Sequence, residues 1–379
     1  MNDRLAAVRR ALAQSPAEGL VESLAAELVK SHSVTDTDLL LVDYRLAALV
    51  PLRGAEPVTR PGHPAWRSFD HQSEVVEGSE HFLPVTMRGD RIGVLRLAPA
   101  PADADQRAEL AEVATLLAHE IAAVRASTDR YLVGARTRRL TLAAEIQWEL
   151  LPGRSRSRDS FALAGQLEPA YAVRGDSFDW AEDGNRVWLS TVNGSGEGVA
   201  AAMLTSLATH ALRNARRAGV ELADQAALAD QAVYAYHRGA QHLAVLLLEL
   251  DLATGVVTAV DAGSPKLLLL RAGDVEDVEL EAQLPLGMFD GTIYRPQHFQ
   301  LRPGDRLFGV SDGVYEAVTS GSPAQETYGQ AALARFVRHT RTAAALDAVR
   351  SLLGDLRAYV SGDLIDDAVA VCLDYGGNQ

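Results

Sequence analysis

A single cysteine, Cys372, is all the thiol chemistry the sequence contains. One thiol excludes an intrachain disulfide and any zinc site built from several thiolates. Its place in the apolar run Ala368–Leu373 marks it as a core residue. No apolar run reaches the roughly 20 residues of a membrane span, and no signal-peptide core follows the N-terminus. The expectation is therefore a cytoplasmic protein with no membrane partner. Basic residues are in deficit: 36 Lys and Arg face 50 Asp and Glu, a formal net charge of −14. Nucleic acid and anionic membrane both require a cationic face, which a chain this acidic is poorly equipped to offer. A basic partner or a divalent cation suits it better. What is present is ordinary globular material, 379 residues with 47% hydrophobic, enough for two or three domains with separate cores.

Residues 1–32 carry helical spacing, with Leu5, Val8 and Leu12 in one apolar set and Leu20, Leu24 and Leu28 in another. Strand-like runs follow at 38–43 and 46–52, then a Gly-, Pro- and His-rich stretch over 53–80 with one short helix around Trp66. The runs 82–88 and 91–97 flank Gly89-Asp90, a hairpin signal. This order, with Leu83-Pro84-Val85 before Ile92–Leu97, resembles a GAF-type sensor domain, which implies a ligand pocket without naming the ligand. His63, His71 and His81 have no compact metal-ligand spacing and are expected on the surface.

Pro99-Ala100-Pro101 marks a boundary. From 105 to 150 the spacing predicts one long helix or two abutting ones. Leu110, Ala114, Leu117, Ile121, Val124, Thr128 and Tyr131 alternate by four and three, and Leu142, Ile146 and Leu150 resume the seam. A seam that narrow suggests a homodimer through 105–150; the alternative is a helix packed back on its own domain. Arg154, Arg156 and Arg158 read as a solvated connector. Residues 160–379 alternate hairpins with paired helices, which argues for packed antiparallel sheets flanked by helices in an α/β (α+β) arrangement. The expected domains are 1–104, 105–152 and 153–379.

Within the last domain, acids stand beside apolar runs or glycines: Asp176 (with Asp179 close by), Asp312, Asp366 and Asp367. Carboxylates gathered at one end of a sheet sandwich repel unless cations neutralise them, and hard oxygen donors suit Mg2+ or Mn2+. Spacing alone leaves surface acids as the alternative. An ordered series of motifs goes further: Ile146-Gln147, Leu150-Leu151-Pro152, Pro169-Ala170, Val173–Asp176 with Asp179, Gly196–Ala202, Asp261–Pro265, Pro285-Leu286-Gly287, Pro303-Gly304-Asp305, Ser311–Glu316 and Asp366-Asp367. The series resembles the SpoIIE/RsbU branch of the PPM (PP2C-like) serine/threonine phosphatases over about 140–375.

That resemblance implies an αββα sandwich behind a sensor and a helical linker. It also implies hydrolysis of phosphoserine or phosphothreonine, often on an anti-anti-sigma factor, by water and without a covalent enzyme intermediate. It assigns metal-ligand roles to Asp176, Asp312 and Asp366, a backbone-ligand role to Gly194, and a neighbouring role to Asp367, around two Mn2+ or Mg2+ ions. The chain departs from the pattern at three informative places. Asn193 stands where the family has an aspartate that bridges both metals, and Ser264 stands where it has histidine. Arg174 stands where glycine normally precedes the Gly-Asp pair, and it either meets phosphate or points to solvent. Ala368 in place of threonine is a milder change. Asn193 keeps a carbonyl oxygen but loses the charge that bridging uses. Two expectations follow: an active metal-dependent phosphatase with Asn193 as a weakened bridge, or a pseudophosphatase that binds partners with little turnover.

Overall fold

The computed structural model describes residues 3–169, 173–263, 265–319, 326–361 and 364–377. It divides into two compact units, Met1–Arg139 and Leu140–Gln379.

The first unit runs α1 (Asp3–Ala13), α2 (Leu20–His32), β1 (Asp36–Val42), β2 (Leu49–Pro51), α3 (Pro64–His71), β3 (Val75–Glu77), β4 (Glu80–Met87), β5 (Asp90–Ala98), α4 (Ala104–Val124) and α5 (Arg130–Gly134). Its strands form one sheet in the order β2-β1-β5-β4-β3, antiparallel at every pairing. Both apolar sets of the N-terminal helices are buried on that sheet, as their spacing requires. Met87 pairs with Asp90, so the hairpin turn is Arg88-Gly89. Both residues have positive φ, 52° and 93°, the twist that suits a two-residue turn. α3 forms around Trp66, capped by His63, whose Nδ1 accepts from Ala65 N at 3.1 Å.

Where one long helix or two abutting ones were expected over 105–150, the chain forms three shorter ones. α4 stops at Val124, Thr128 Oγ1 accepts from Arg130 N at 3.2 Å at the start of α5, and Thr141 caps a further helix in the second unit. The seam residues Leu110, Ala114, Leu117, Ile121 and Tyr131 are buried in the core of the first unit together with Val113 and Ala118. The apolar face of α4 is therefore wider than a coiled-coil stripe, and a wide face packs into a core rather than along one partner helix. Leu142, the next expected seam position, is 64% exposed.

His81, expected at the surface, is fully buried on β4, with Nε2 3.0 Å from Glu74 Oε2. Burial holds its pKa below the usual histidine value, and Glu74 only partly opposes this. Because the fold depresses this pKa, the unfolded chain takes up a proton at a pH where the folded one does not, so stability is lost as pH falls below about 6.5. Urea melts between pH 7.5 and 5.5 should show a shallower pH slope for His81→Gln than for the wild type; equal slopes would remove His81 as the cause.

The second unit contains α6 (Leu142–Leu150), β6 (Ser155–Arg158), β7 (Phe161–Glu168), β8 (Ser177–Asp183), β9 (Arg186–Asn193), α7 (Gly198–Arg217), α8 (Leu222–His237), β10 (Ala244–Asp251), β11 (Val256–Ala262), β12 (Lys266–Arg271), β13 (Asp274–Asp277), β14 (Gln297–Gln300), β15 (Arg306–Val310), α9 (Asp312–Tyr315), α10 (Ala334–His339), α11 (Ala345–Val360) and β16 (Ala368–Tyr375). Two sheets result, β14-β11-β10-β9-β8 and β13-β12-β15-β16-β7-β6, with antiparallel pairing throughout. Leu167, Phe178, Leu189, Leu246, Leu269, Leu307 and Val371 belong to the core between them. Leu204, Ala208 and Leu212 of α7 and Val233 of α8 share a second core with Val245, Leu247 and Val260 of the first sheet. α11 packs on β7 and β16 of the second sheet. The layering is αββα, as the resemblance implied.

The basic connector at 154–158 is not a solvated linker. Ser155–Arg158 is the edge strand β6, and Arg156 is buried in an ion pair with Glu182, which also meets Arg158 Nε at 3.0 Å. Cys372 is buried, as expected.

Candidate active site

Antiparallel pairing brings four chain segments to one edge of the sandwich. β9 ends at Asn193 where β8 begins, with Val192 opposite Ser177. β15 ends at Val310 close to where β16 begins, with Val310 opposite Ala370. Asp176, Asn193-Gly194, Asp312 and Asp366-Asp367 are the residues at those four ends.

The loop carrying Asp176 is pinned along its length. Val173 O accepts from Gly198 N at 2.7 Å, and Gly175 O accepts from Thr205 Oγ1 at 2.5 Å. Arg174 N and Gly175 N both donate to Asp367 Oδ2, at 2.8 and 2.9 Å. Gln147 Nε2 of α6 donates to that same oxygen and to Asp176 O, both at 2.7 Å. Asp367, expected among the metal residues, thus spends Oδ2 on holding the loop that presents Asp176. Gly194 lies against this loop, and a Cβ there would stand 2.7 Å from Gly175 O. At Gly313 a Cβ would collide with the carbonyl of Asp367, so only glycine lets the 312–313 and 366–367 segments meet.

Asp176 is fully buried, and neither carboxylate oxygen has a hydrogen-bond partner. Burial and then the charge of Asp312 drive its pKa well above the usual carboxylate range, and Asp367 and Asp366 add to this. Asp366, half-buried, is pushed up to about 6 by burial and by Asp312, against the Asp367 backbone N–H and the Arg174 guanidinium. Asp312 opens α9 and accepts from Gly313 N at 2.8 Å. A buried, unpartnered carboxylate beside two more acids is costly for the chain alone and matches what a divalent cation needs, hard oxygen donors in a low-dielectric setting. Among the described residues no three acidic, His or Cys side chains stand close enough together to hold an ion as they are.

Asn193 is half-buried at the end of β9 and adds a neutral amide. Arg174 is half-buried, with its Nε enclosed and without a hydrogen-bond partner. Asp179, although close to Asp176 in sequence, is not part of the acidic set. It is buried in ion pairs with Arg213 at 2.8 Å and Arg216 at 3.2 Å. Ser264 lies outside the described residues. Sequence reasoning gave no role to Gln147, although a lone amide between Ile146 and Trp148 on an apolar helix is a signal for a buried polar contact.

The family model for stage II sporulation protein E (SpoIIE) matches residues 183–376, more than half of the chain. The match contains Asn193, Asp312, Asp366 and Asp367 but begins after Asp176. No curated protein matches the sequence. Among solved structures, the SiaA-PP2C domain of Pseudomonas aeruginosa is 20% identical with a TM-score of 0.52, covering 62% of this chain and 94% of that one. The PP2C phosphatase domain with a regulatory fragment of SpoIIE from Bacillus subtilis is 19% identical with a TM-score of 0.50, covering 59% and 66%. The RsbU and RsbW domains of Rv1364c from Mycobacterium tuberculosis are 24% identical with a TM-score of 0.49, covering 58% and 61%. The chain thus spans less than two thirds of the latter two. The second unit has the fold of the PP2C-like phosphatases. The chain belongs to the SpoIIE family.

Asp367 and Asp312 should behave oppositely in metal-free protein. Asp367→Ala strips the acceptor from three donors and is expected to cost about 3 kcal/mol. Asp312→Ala removes a like charge beside Asp176 and is expected to leave stability unchanged or raise it. Urea denaturation in EDTA measures both, and similar losses would contradict the division of roles.

Proposed function

We propose that the second unit is a metal-dependent phosphoprotein phosphatase that hydrolyses phosphoserine or phosphothreonine on a regulatory protein, with an anti-anti-sigma factor as the expected substrate class. The observation that carries this reading is the fully buried, unpartnered Asp176 beside Asp312 and Asp366 at the open edge of a PP2C-like sandwich. Asp176, Asp312 and Asp366 would hold Mg2+ or Mn2+, with the Asn193 side-chain oxygen and the Gly194 carbonyl as neutral donors. A bound dication supplies Lewis acidity and lowers the pKa of water to the neutral range. The chain's own part is positional. Asp367 and Gln147 fix the Asp176 peptide, and Gly194 and Gly313 let the loops close on one another.

A second reading, a catalytically impaired pseudophosphatase that works by binding and partner switching, is favoured by Asn193, where a bridging carboxylate is replaced by an uncharged amide. The first unit is proposed as a GAF-like sensor that includes α4 and α5, with the phosphatase domain beginning at α6, in a cytoplasmic protein. No helix among the described residues is long and apolar enough to cross a membrane. A homodimer through 105–150 would have to use faces other than the buried seam, and light scattering at micromolar protein reads its mass directly.

Hydrolysis of a phosphoserine peptide with Mn2+ separates the two readings. Turnover by the wild type, raised about tenfold or more in Asn193→Asp as the missing charge returns, is the expected outcome. A silent wild type revived by Asn193→Asp would establish the second reading. Silence of both proteins, with no Mn2+ bound, would remove the phosphatase reading.

A further inference from the structure

Beside the acidic edge lies a cavity of about 190 Å3 with mostly apolar walls. Ala317, Val318, Val360, Leu364 and Ile365 line it, and so do Asp312 and Asp366. The cavity and the candidate site therefore share two residues. Two strips of chain make the walls, 312–318 after β15 and 360–366 before β16, and they are tied together at both ends. At one end, glycine at 313 is what lets the backbone meet the Asp367 carbonyl. At the other, Thr319 Oγ1 donates to Tyr359 O at 3.0 Å. Val318 is fixed further by a bridge to Thr327, and Tyr328 N donates to Ala317 O at 2.7 Å. The spacing of the walls is thus set by the fold. Ile365 is 74% exposed directly before Asp366, an apolar side chain left in water beside the acids. The sequence bordering the walls, 320–325 and 362–363, contains no large apolar side chain to cover it. Size then decides the class of occupant. Sites for drug-sized ligands enclose about 300–1,000 Å3, whereas an apolar cavity of about 150 Å3 takes a guest as large as benzene. This cavity suits one aliphatic side chain.

We propose that this cavity is a substrate subsite, which seats a leucine or isoleucine side chain from within two residues of the phosphorylated residue. The proposal rests on the reading above for placing the phosphate at the acidic edge, and goes beyond it by naming a sequence feature of the substrate. An extended peptide advances about 3.3 Å per residue and turns alternate side chains to one face. A phosphoryl group held at Asp312 and Asp366 therefore leaves a neighbouring side chain level with the cavity those residues line. The acids also set an exclusion. Aspartate or glutamate at the same place in the substrate would meet Asp312, Asp366 and Glu316 along with the apolar walls, and both charge and desolvation oppose it.

Phosphoserine peptides with the full chain and Mn2+ test this. An alanine-based peptide is compared with versions that carry leucine, or glutamate, one or two residues to either side of the phosphoserine. At one of these positions leucine is expected to raise kcat/KM about tenfold over alanine, as partial burial of its side chain provides, and glutamate to lower it. Ile365→Ser removes one wall at an exposed position, and Ala317→Leu fills the cavity from its own wall. Both should bring the leucine preference to within about twofold. Hydrolysis of p-nitrophenyl phosphate, which has no neighbouring side chain, should match wild type in both variants. Equal turnover of leucine and alanine peptides at every position, or a leucine preference that survives both variants, would overturn the proposal and leave the phosphatase reading standing. Where no peptide is turned over, fluorescence anisotropy of the same peptides, labelled, decides. Tighter binding of a leucine peptide, lost in Ala317→Leu, would leave this inference standing and the phosphatase reading fallen; equal or absent binding would overturn it.

Discussion

One carboxylate oxygen holds the candidate site together. Asp367 Oδ2, buried at the start of β16, collects Arg174 N, Gly175 N and Gln147 Nε2. Those donors come from the loop before β8 and from α6, so three segments distant in sequence meet at a single atom. Charged acceptors form stronger hydrogen bonds than neutral ones, and a buried carboxylate left without them would be expensive. The same atom therefore secures the unit's first helix and sets where Asp176 emerges. The second donation from Gln147, to Asp176 O, ties the position of α6 to the presentation of the buried acid.

What this clamp holds is electrostatically strained. Asp176 has no hydrogen-bond partner and faces other acids, an arrangement that disfavours ionisation until a cation arrives. The rest of the unit supplies the means to tolerate it. Two sheets share an apolar core, and the helices cover outer faces, so the acids are confined to the ends of strands where loops can adjust. Stability comes from the sandwich, and the edge is where that stability is spent.

Much of this was legible in the sequence. Hairpins declared themselves through glycine-containing turns, although the one read at Gly89-Asp90 turns one residue earlier, at Arg88-Gly89. The acids Asp176, Asp312 and Asp366 drew attention because each stands next to an apolar run or a glycine. For the helical region 105–150 two coverings of the seam stayed open, because periodicity reports that a face is apolar, not which surface covers it; the structure buries the α4 part in the core of the first unit and breaks the region into three helices. Val113 and Ala118 widen that face beyond a seam, and Thr128 and Thr141 offer helix starts that interrupt it. β6 was missed because Ser155–Arg158 is polar, and only its pairing with β7 and the ion pair to Glu182 make it a strand. Asp179 looked like a companion of Asp176; its partners Arg213 and Arg216 lie more than thirty positions away, beyond the reach of local pattern.

Two of the departures from the resembled pattern, Asn193 and Arg174, change charge in one direction. Replacing a carboxylate by Asn193 removes a negative charge, and placing Arg174 beside Gly175 adds a positive one. An amide at 193 adds no repulsion to Asp176, Asp312 and Asp366 and offers a metal less attraction than a carboxylate would, and the charge of Arg174 favours the ionised form of Asp366. A site tuned this way gains metal-free integrity at the expense of ion affinity. Integrity without metal is what a partner-binding surface requires, whereas affinity is what hydrolysis requires. The amide at Asn193 therefore bears on both of the proposed readings, on a scaffold whose layers and clamp are common to both.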